Sequence, residues 1–395
     1  MGFSSGTISF RRFAVVGDTP DTVDQAMLDK LAEHALRASD LGVPQEIEYG
    51  WSGGRHILDG TFSFENNVFV DALNFALRID TNKVPGELKQ AYQIIEEEAV
   101  AKNNPSGFIS KNQKRDVKDI VGRKLDDELR SGKFRRSKLM PILWDLPSRM
   151  LYCNAGTSAQ DKLMEIFEQT FGLSLLPVSS GSLALRILEP IHRRRDYEDL
   201  RPTRFVPGPE GDEQFPDYHW VLKGPEPKDF IGNEFVAWLW HEADQEGSIE
   251  TSAGDVTVFF DRALDLDCAY AQSGRAMLRA DGVARMPEAM AGLRSGKVPR
   301  KAGLMMEISR RQFNLTLNAE SLGYGSLRLP EVEDAENPRV LFEERIGLLR
   351  DFCKSFDALF SAFLKSRASS GWEGHTDSIR KWIQQSRRHA AVAVA

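Results

Sequence analysis

Lysine and arginine side chains are concentrated in one segment of the sequence, from Lys102 to Lys138. Twelve basic and five acidic residues lie in this segment, so its net charge is +7. The whole chain carries −7, and the residues outside the segment therefore sum to −14. The whole-chain charge alone argues against a nucleic-acid partner. Its distribution instead indicates one localised contact with a polyanion.

Such a basic segment favours binding to phosphate groups. Cations spaced along a helix and the loop after it neutralise phosphates and release their counterions, which gives salt-sensitive binding without sequence preference. The alternative is a solvated helix face with i,i+4 ion pairs, such as Asp119 with Arg123. The candidate DNA-binding residues are Lys111, Lys114, Arg115, Lys118, Arg123, Lys124, Lys133, Arg135, Arg136 and Lys138.

Phe134 is an apolar residue among these charges. If it is exposed, it can act as an intercalating wedge, a stacking platform for bases or a contact for another protein. The alternative is that it packs beneath the basic helix, and the sequence favours neither.

A group of aspartates is the best candidate for catalysis. Closely spaced carboxylates can hold Mg²⁺ ions that activate water, as in two-metal nucleases. Polar positions alternating along a half-exposed strand give the same pattern, and this simpler interpretation is favoured. The group consists of Asp255, Asp261, Asp265 and Asp267.

Other motifs of catalytic or cofactor sites are missing from the sequence. Gly323-Tyr324-Gly325 lacks the third glycine and the following helix of a dinucleotide fingerprint. His241-Glu242 lacks the second histidine of a zinc-protease helix, and the histidines do not cluster with cysteines. No nucleophile elbow is present. The sequence therefore predicts no catalytic residue, no metal and no cofactor.

Composition bounds the class of protein. A chain of 395 residues with 41% hydrophobic side chains can build two or three domains with sizeable cores. Cys153, Cys268 and Cys353 are dispersed and odd in number, which argues against a disulfide framework and for a reducing compartment. No leader pattern and no stretch of about 18 apolar residues is present, so we expect a cytoplasmic protein with no membrane contact.

Two helices are predicted to carry the basic residues. Pro85-Gly86 opens the first, with an apolar stripe through Leu88, Tyr92, Ile95 and Ala99. Ser110 and Gln113 fit a capping box for the second. Its apolar side is Val117, Ile120, Val121, Leu125 and Leu129, and Lys111, Lys114, Arg115 and Lys118 are expected opposite.

Strands are predicted from Gly6 to Val16 and from Thr61 to Ile79, with a turn at Gly50 to Gly54 before the second. Strand, strand, helix and strand follow between Leu139 and Val178. This order predicts an α+β fold, with antiparallel sheets on which helices pack and a projecting basic helical hairpin.

The chain is expected to divide into domains at shifts in composition. A second basic group, His192 to Arg195, falls in the Pro- and Gly-rich stretch and is interpreted as part of a solvated linker. The predicted parts are an N-terminal α+β domain of residues 1–84 and 139–188, a projecting basic helical tip of 85–138, a linker or insertion of 189–230, a C-terminal α+β domain of 231–367 that ends in a long helix, and a polar tail of 368–395.

The order of elements resembles the RdgC family of recombination-associated DNA-binding proteins. The similarity covers most of residues 1–180 and 230–366. It includes Gly50-Trp51, the acidic helix Glu87 to Lys102, the basic helix Lys111 to Arg130 and the loop Lys133-Phe134-Arg135-Arg136 before a strand pair. Asn233 to Trp240 and the helix through Phe356 to Phe360 are similar to longer members. The stretch from Glu189 to Asp229 and the tail after Ser366 depart from the family.

The resemblance implies a ring-shaped homodimer that encircles double-stranded DNA without sequence preference and without catalysis, and that restrains recombinases. It implies a nucleoid-associated location, and it places Phe134 at the contact that closes the ring. We therefore expect a non-enzymatic DNA-binding homodimer. The alternatives are a metal-dependent nuclease that uses Asp255 to Asp267, and a protein-interaction module whose basic hairpin meets an acidic partner.

Overall fold

The computed structural model describes residues 2–37, 45–105, 107–208, 214–222, 224, 226–270, 274–332, 335 and 337–385. The chain is α+β, with a large antiparallel sheet, and this part of the prediction is confirmed. It forms two compact units. Unit 1 contains residues 1–19, 143–155 and 174–395, and unit 2 contains residues 20–142 and 156–173.

The strands and helices follow each other in short alternating groups. The strands are β1 (Ile8–Val16), β2 (Ile47–Ser52), β3 (Val68–Phe69), β4 (Ala72–Asn82), β5 (Arg135–Asp145), β6 (Met150–Cys153), β7 (Ser174–Pro177), β8 (Ile249–Thr251), β9 (Gly254–Cys268), β10 (Ala276–Leu278), β11 (Lys297–Ile308), β12 (Arg311–Asn318) and β13 (Gly323–Arg328). The helices are α1 (Gln25–Glu33), α2 (Phe64–Asn67), α3 (Gly86–Lys102), α4 (Lys111–Arg130), α5 (Thr157–Phe171), α6 (Ser180–Leu188), α7 (Arg194–Asp199), α8 (Phe230–Gln245), α9 (Pro287–Arg294), α10 (Pro338–Arg367) and α11 (Trp372–Gln385).

In unit 1 the strand order is β10-β9-β11-β12-β13-β1-β6, with β8 added to β9 and β7 to β1. The first strand of the chain is therefore paired with the last, and Phe10 lies opposite Tyr324. Helices α8 and α10 supply an aromatic core, in which the ring of Phe235 contacts those of Phe356 and Phe360. The long helix predicted at the end of the C-terminal domain is α10, in which apolar residues recur at helical spacing.

In unit 2 the strand order is β5-β4-β2, with β3 added to β4. Trp51 is fully buried, and its indole N–H donates to Thr170 Oγ1 of α5 at 2.8 Å. The turn predicted at Gly50 to Gly54 begins later than expected, because Gly50, Trp51 and Ser52 lie inside β2 and the chain leaves the strand only at Gly53 and Gly54. A Cβ at Gly50 would come within 2.6 Å of the backbone of Leu36, so glycine here permits a close backbone approach.

Three local predictions differ from the structure. The strand predicted from Thr61 begins as the helix α2, which Ser63 caps. The stretch 189–230 is not an open linker, because Phe205 and Tyr218 are buried in unit 1. The polar tail contains the helix α11, which buries Trp372 and Trp382, while residues 386–395 lie outside the described residues.

The compact units divide the chain differently from the domains expected from composition. Strands β1, β6 and β7 fall in the same unit as the C-terminal half, because β1 pairs with β13 as well as with β6 and β7. Among the described residues, no helix is both long enough and apolar enough to cross a bilayer.

Candidate nucleic-acid interface

Helices α3 and α4 pack on each other through a small apolar cluster. Val117, Val121 and Leu125 of α4 are buried at intervals of four residues, and Tyr92 and Val100 of α3 pack against them. Ile95 and Ala99, predicted on the buried side of α3, are exposed instead. The cluster is narrow, which leaves most of the α4 surface to polar side chains.

The start of α4 is fixed by the predicted capping box. The hydroxyl of Ser110 accepts from the backbone N–H of Gln113, and the Gln113 side chain accepts from the N–H of Ser110. The Gln113 amide also donates to Asn104 Oδ1 at 3.0 Å. These bonds hold the loop between the two helices against the first turn of α4.

Four cations lie in the first two turns of α4. Lys111, Lys114, Arg115 and Lys118 are all exposed, and none forms an ion pair with a described residue. The expectation that all four lie opposite the apolar side does not hold for Lys114 and Lys118. They precede the buried Val117 and Val121 by three residues each and therefore flank the cluster, with exposed side chains.

These cations occupy an unfavourable end of the helix. The N-terminus of a helix carries a partial positive charge, and the first turn of α4 contains no acidic residue. Cations there cost stability and accumulate positive potential, which a bound anion would relieve. The first turn of α4 is therefore a region of positive potential.

Arg123 and Lys124 are exposed one to two turns further along α4. The ion pair considered between Asp119 and Arg123 is not formed. Arg123 Nε instead donates to the backbone carbonyl of Asp119 at 3.4 Å. Lys124 Nζ lies 4.3 Å from the ring centroid of Tyr92, which is a cation–π contact, and it forms no ion pair with a described residue.

Lys133 and Arg135 differ from the other candidates because each is paired with carboxylates. Lys133 Nζ lies 2.6 Å from Glu128 Oε1. This hydrogen bond is the main cause that raises the pKa of Lys133 and lowers that of Glu128. Arg135 lies 2.7 Å from Asp80 and 3.0 Å from Glu48. These two cations are therefore less available to phosphate than the sequence suggested.

Asp80 is the buried centre of this ion-pair network. Burial alone would raise its pKa, but hydrogen bonds from Arg78, Ser137 and Arg135 outweigh burial and lower the pKa. Side chains alternate between the two sides of a strand. Arg135 and Ser137 of β5 therefore share the side that meets Asp80, whereas Arg136 and Lys138 share the other side and are exposed.

Phe134 is half-buried and packs against the apolar cluster of α4, as the alternative interpretation expected. Lys133 Nζ lies 5.8 Å from its ring centroid. The side chain therefore helps to hold α4, and a role as a fully exposed wedge does not agree with this placement. Its role in closing a ring stays a prediction.

The second basic group is neutralised by its neighbours. Arg193 pairs with Asp196, Arg194 with Glu189 and Glu198, and Arg195 with Asp199. Compared with it, the exposed cations of α4 and β5 have no such carboxylate partners among the described residues. Eight of the ten candidates share this property, namely Lys111, Lys114, Arg115, Lys118, Arg123, Lys124, Arg136 and Lys138.

Most of the aspartates considered for a nuclease site form ion pairs with arginines. Asp265 is buried and contacts Arg275 at 2.8 Å and Arg279 at 2.6 Å. Asp267 pairs with Arg300 at 3.3 Å. Guanidinium groups neutralise the charge that two Mg²⁺ ions would need. The strand interpretation, with structural ion pairs, therefore fits these aspartates better.

One cluster with metal-ligand chemistry was missed by sequence reasoning. His241 and Glu242 of α8 meet His375 of α11, and their nearest ligand atoms lie within 4.8 Å of one another. The adjacent pair His241-Glu242 was a partial signal, but its third partner lies 133 residues further along the chain. Only the packing of the two helices brings the three residues together.

No protein-family model matches the chain, and no curated protein matches it significantly. The resemblance to the RdgC family therefore depends on the residues and element order quoted above.

Proposed function

We propose that this chain binds double-stranded DNA without sequence preference, through α4 and the start of β5. The observation that carries the proposal is that eight of the ten candidate residues between Lys111 and Lys138 are exposed and form no ion pair with a described carboxylate. They lie on an acidic chain in which most other arginine groups described above are paired. Such a set supplies the counterion release that sequence-independent binding needs.

The resemblance extends the proposal to an RdgC-like homodimer that closes around duplex DNA, associates with the nucleoid and modulates homologous recombination by limiting recombinase access. In this proposal the protein is not an enzyme, and DNA is held rather than cut. We expect plasmid incubated with Mg²⁺ or Mn²⁺ to stay intact at high protein concentration.

The test compares two charge reversals of equal size. One variant carries Glu at Lys111, Lys114 and Lys118. The control carries Glu at Lys354, Lys365 and Lys381, which are exposed on α10 and α11 and form no ion pair with a described residue. Arg135 is left intact, because a glutamate there would face Asp80.

Fluorescence anisotropy with a labelled duplex at about 50–100 mM salt measures the outcome. The α4 variant should lose about 100-fold or more in affinity, because three phosphate contacts become repulsions. The control should stay within a few-fold of the parent. Equal affinities of the α4 variant and the parent would overturn the proposal, and equal losses in both variants would show that only net charge matters.

A protein partner is the second candidate. Ile95 of α3, Phe108 of the loop and Ile120 of α4 are exposed beside the cations, at 60%, 80% and 44% of their surface. Mixed apolar and basic surfaces also suit acidic protein partners. Failure of the parent chain to retard duplex DNA even at low salt would favour this candidate over DNA.

A further inference from the structure

Helices α8 and α11 bring two imidazoles to one carboxylate within unit 1. His241 Nδ1 lies 2.7 Å from Glu242 Oε1, and His375 Nε2 lies 3.2 Å from the same oxygen. His241 is buried, whereas Glu242 and His375 are half-buried. Three ligand atoms of the types that bind transition metals therefore converge from two helices.

The hydrogen bonding of His375 is incomplete. Its Nε2 is buried, yet its position relative to Glu242 does not satisfy hydrogen-bond geometry, and no other described group bonds to it. A buried polar atom without a hydrogen bond costs stability unless another ligand satisfies it. A metal ion in the plane of the ring, along the lone pair of Nε2, would satisfy this atom.

The groups around the cluster suit metal ligation. Ser378 Oγ lies 3.4 Å from His241 Nε2, on the ring nitrogen opposite the cluster, where metal-bound histidines usually find a polar partner. The ring of Trp372 stacks on His375 at an interplanar angle of 11°. The ring of Trp382 packs edge-on against His241. These contacts fix the orientations of both imidazoles.

The spacing of the three ligand atoms can be compared with that of a zinc site. In tetrahedral zinc sites with bonds of about 2.0–2.2 Å, ligand atoms lie roughly 3.3–3.5 Å apart. The two separations from Glu242 Oε1, 2.7 Å and 3.2 Å, lie close to this range, and all three ligand atoms lie within 4.8 Å of one another.

We propose that His241 Nδ1, Glu242 Oε1 and His375 Nε2 form a binding site for a divalent transition metal of the Zn²⁺ type, which joins α11 to α8. Two histidines and one glutamate are a known zinc ligand set that leaves a fourth position for water. The proposal is independent of DNA binding, because the site uses none of the α4 or β5 cations.

The test uses the full chain after dialysis against EDTA, with Zn²⁺ alone as the probe. Competition with a chromophoric chelator at pH 7.5 should give one tightly bound Zn²⁺ per chain. His375→Gln and Glu242→Gln should each weaken binding by about tenfold or more, since each removes one ligand. His56→Gln is the control, because His56 is exposed and lies in unit 2.

Two further measurements test where the ion binds and whether it stabilises the fold. Co²⁺ should quench the fluorescence of Trp372 and Trp382 in the parent, with reduced quenching in His375→Gln. Zn²⁺ should raise the melting temperature of the parent by a few degrees and leave that of Glu242→Gln unchanged.

Absence of a bound equivalent in the parent would overturn the proposal, as would unchanged binding in both ligand variants. An equal loss in His56→Gln would do the same. Circular dichroism of each variant verifies the fold, and Glu242→Gln preserves side-chain shape if His375→Gln destabilises α11.

Discussion

Arg135 and Arg136 are adjacent and carry the same charge, but the structure gives them different partners. Arg135 meets Asp80 and Glu48, whereas Arg136 is exposed without an ion pair to a described residue. The sequence could not separate them, because Asp80 and Glu48 lie 55 and 87 residues away from Arg135. Strand alternation in β5 sends the two side chains to opposite sides.

The two arginines should therefore respond differently to removal of their charge. Arg136→Gln should leave stability unchanged, lower DNA affinity and reduce the slope of log K against log salt by about 0.9, the value for one phosphate. Arg135→Gln should lower the free energy of unfolding by about 1–2 kcal/mol, because Asp80 loses a charged hydrogen-bond partner. Urea unfolding and anisotropy titrations measure both quantities on both variants.

The loss in Arg135→Gln should depend on pH. The folded state lowers the pKa of Asp80, so this carboxylate stabilises the fold above its unfolded pKa near 3.8 and loses that contribution as pH falls through its folded pKa. The stability difference between parent and variant should be largest near neutral pH and should shrink in acid. A difference that grows as pH falls from 6 to 3 would contradict the assigned network.

At the scale of the element, α4 combines a good cap with cations in its first turns. Lys111→Glu should stabilise the helix by about 0.3–1 kcal/mol, because it replaces a cation at the positive end of the helix dipole by an anion. The same change should weaken DNA binding. Ser110→Ala is the matched comparison, since it should cost about 1 kcal/mol through loss of the cap while leaving every charge in place.

Thermal unfolding measures the change in stability of each variant, and fluorescence anisotropy measures the change in its DNA affinity. Opposite effects of Lys111→Glu on stability and affinity are expected if the cation is retained for a ligand. Parallel losses of stability and affinity in Lys111→Glu would indicate that Lys111 supports the helix itself and is not retained for a ligand alone.

Helices could be predicted from the sequence where capping residues and apolar periodicity agreed with the burial seen in the structure. The bounds of α4 follow from Ser110, Gln113 and the Val117 stripe, because capping and periodicity are local properties. The buried side of α3 was not predictable, since two apolar rows compete and only packing against α4 selects Tyr92 and Val100 over Ile95. Helix α11 carried a detectable signal, because Trp372, Ile379 and Trp382 recur on one face.

At the scale of the whole molecule, sequence composition suggested a division at the Pro- and Gly-rich stretch 189–230. The compact units do not follow it, because Ile8 pairs with Leu327 and Phe10 with Tyr324. Pairing between strands that are more than 300 residues apart depends on side-chain fit across the sheet and has no local signature. The basic segment was predictable because charge clustering needs no knowledge of packing, whereas the partners of Lys133 and Arg135 were not.

The salt dependence of DNA binding should report how many copies of the chain contact one duplex. The eight candidate residues without described ion pairs give a slope of log K against log salt of about −7 for one protomer, at about 0.9 per phosphate. Two protomers on the same duplex give about −14.

Since we propose a homodimer, we expect a slope steeper than −7, with two chains per bound duplex in sedimentation velocity. A slope of −7 or shallower with one chain per duplex would show that a single α4 binds alone, and it would remove the ring while leaving DNA binding in place. The Lys111, Lys114 and Lys118 variant then provides the internal standard, because its slope should fall by about 3 per protomer.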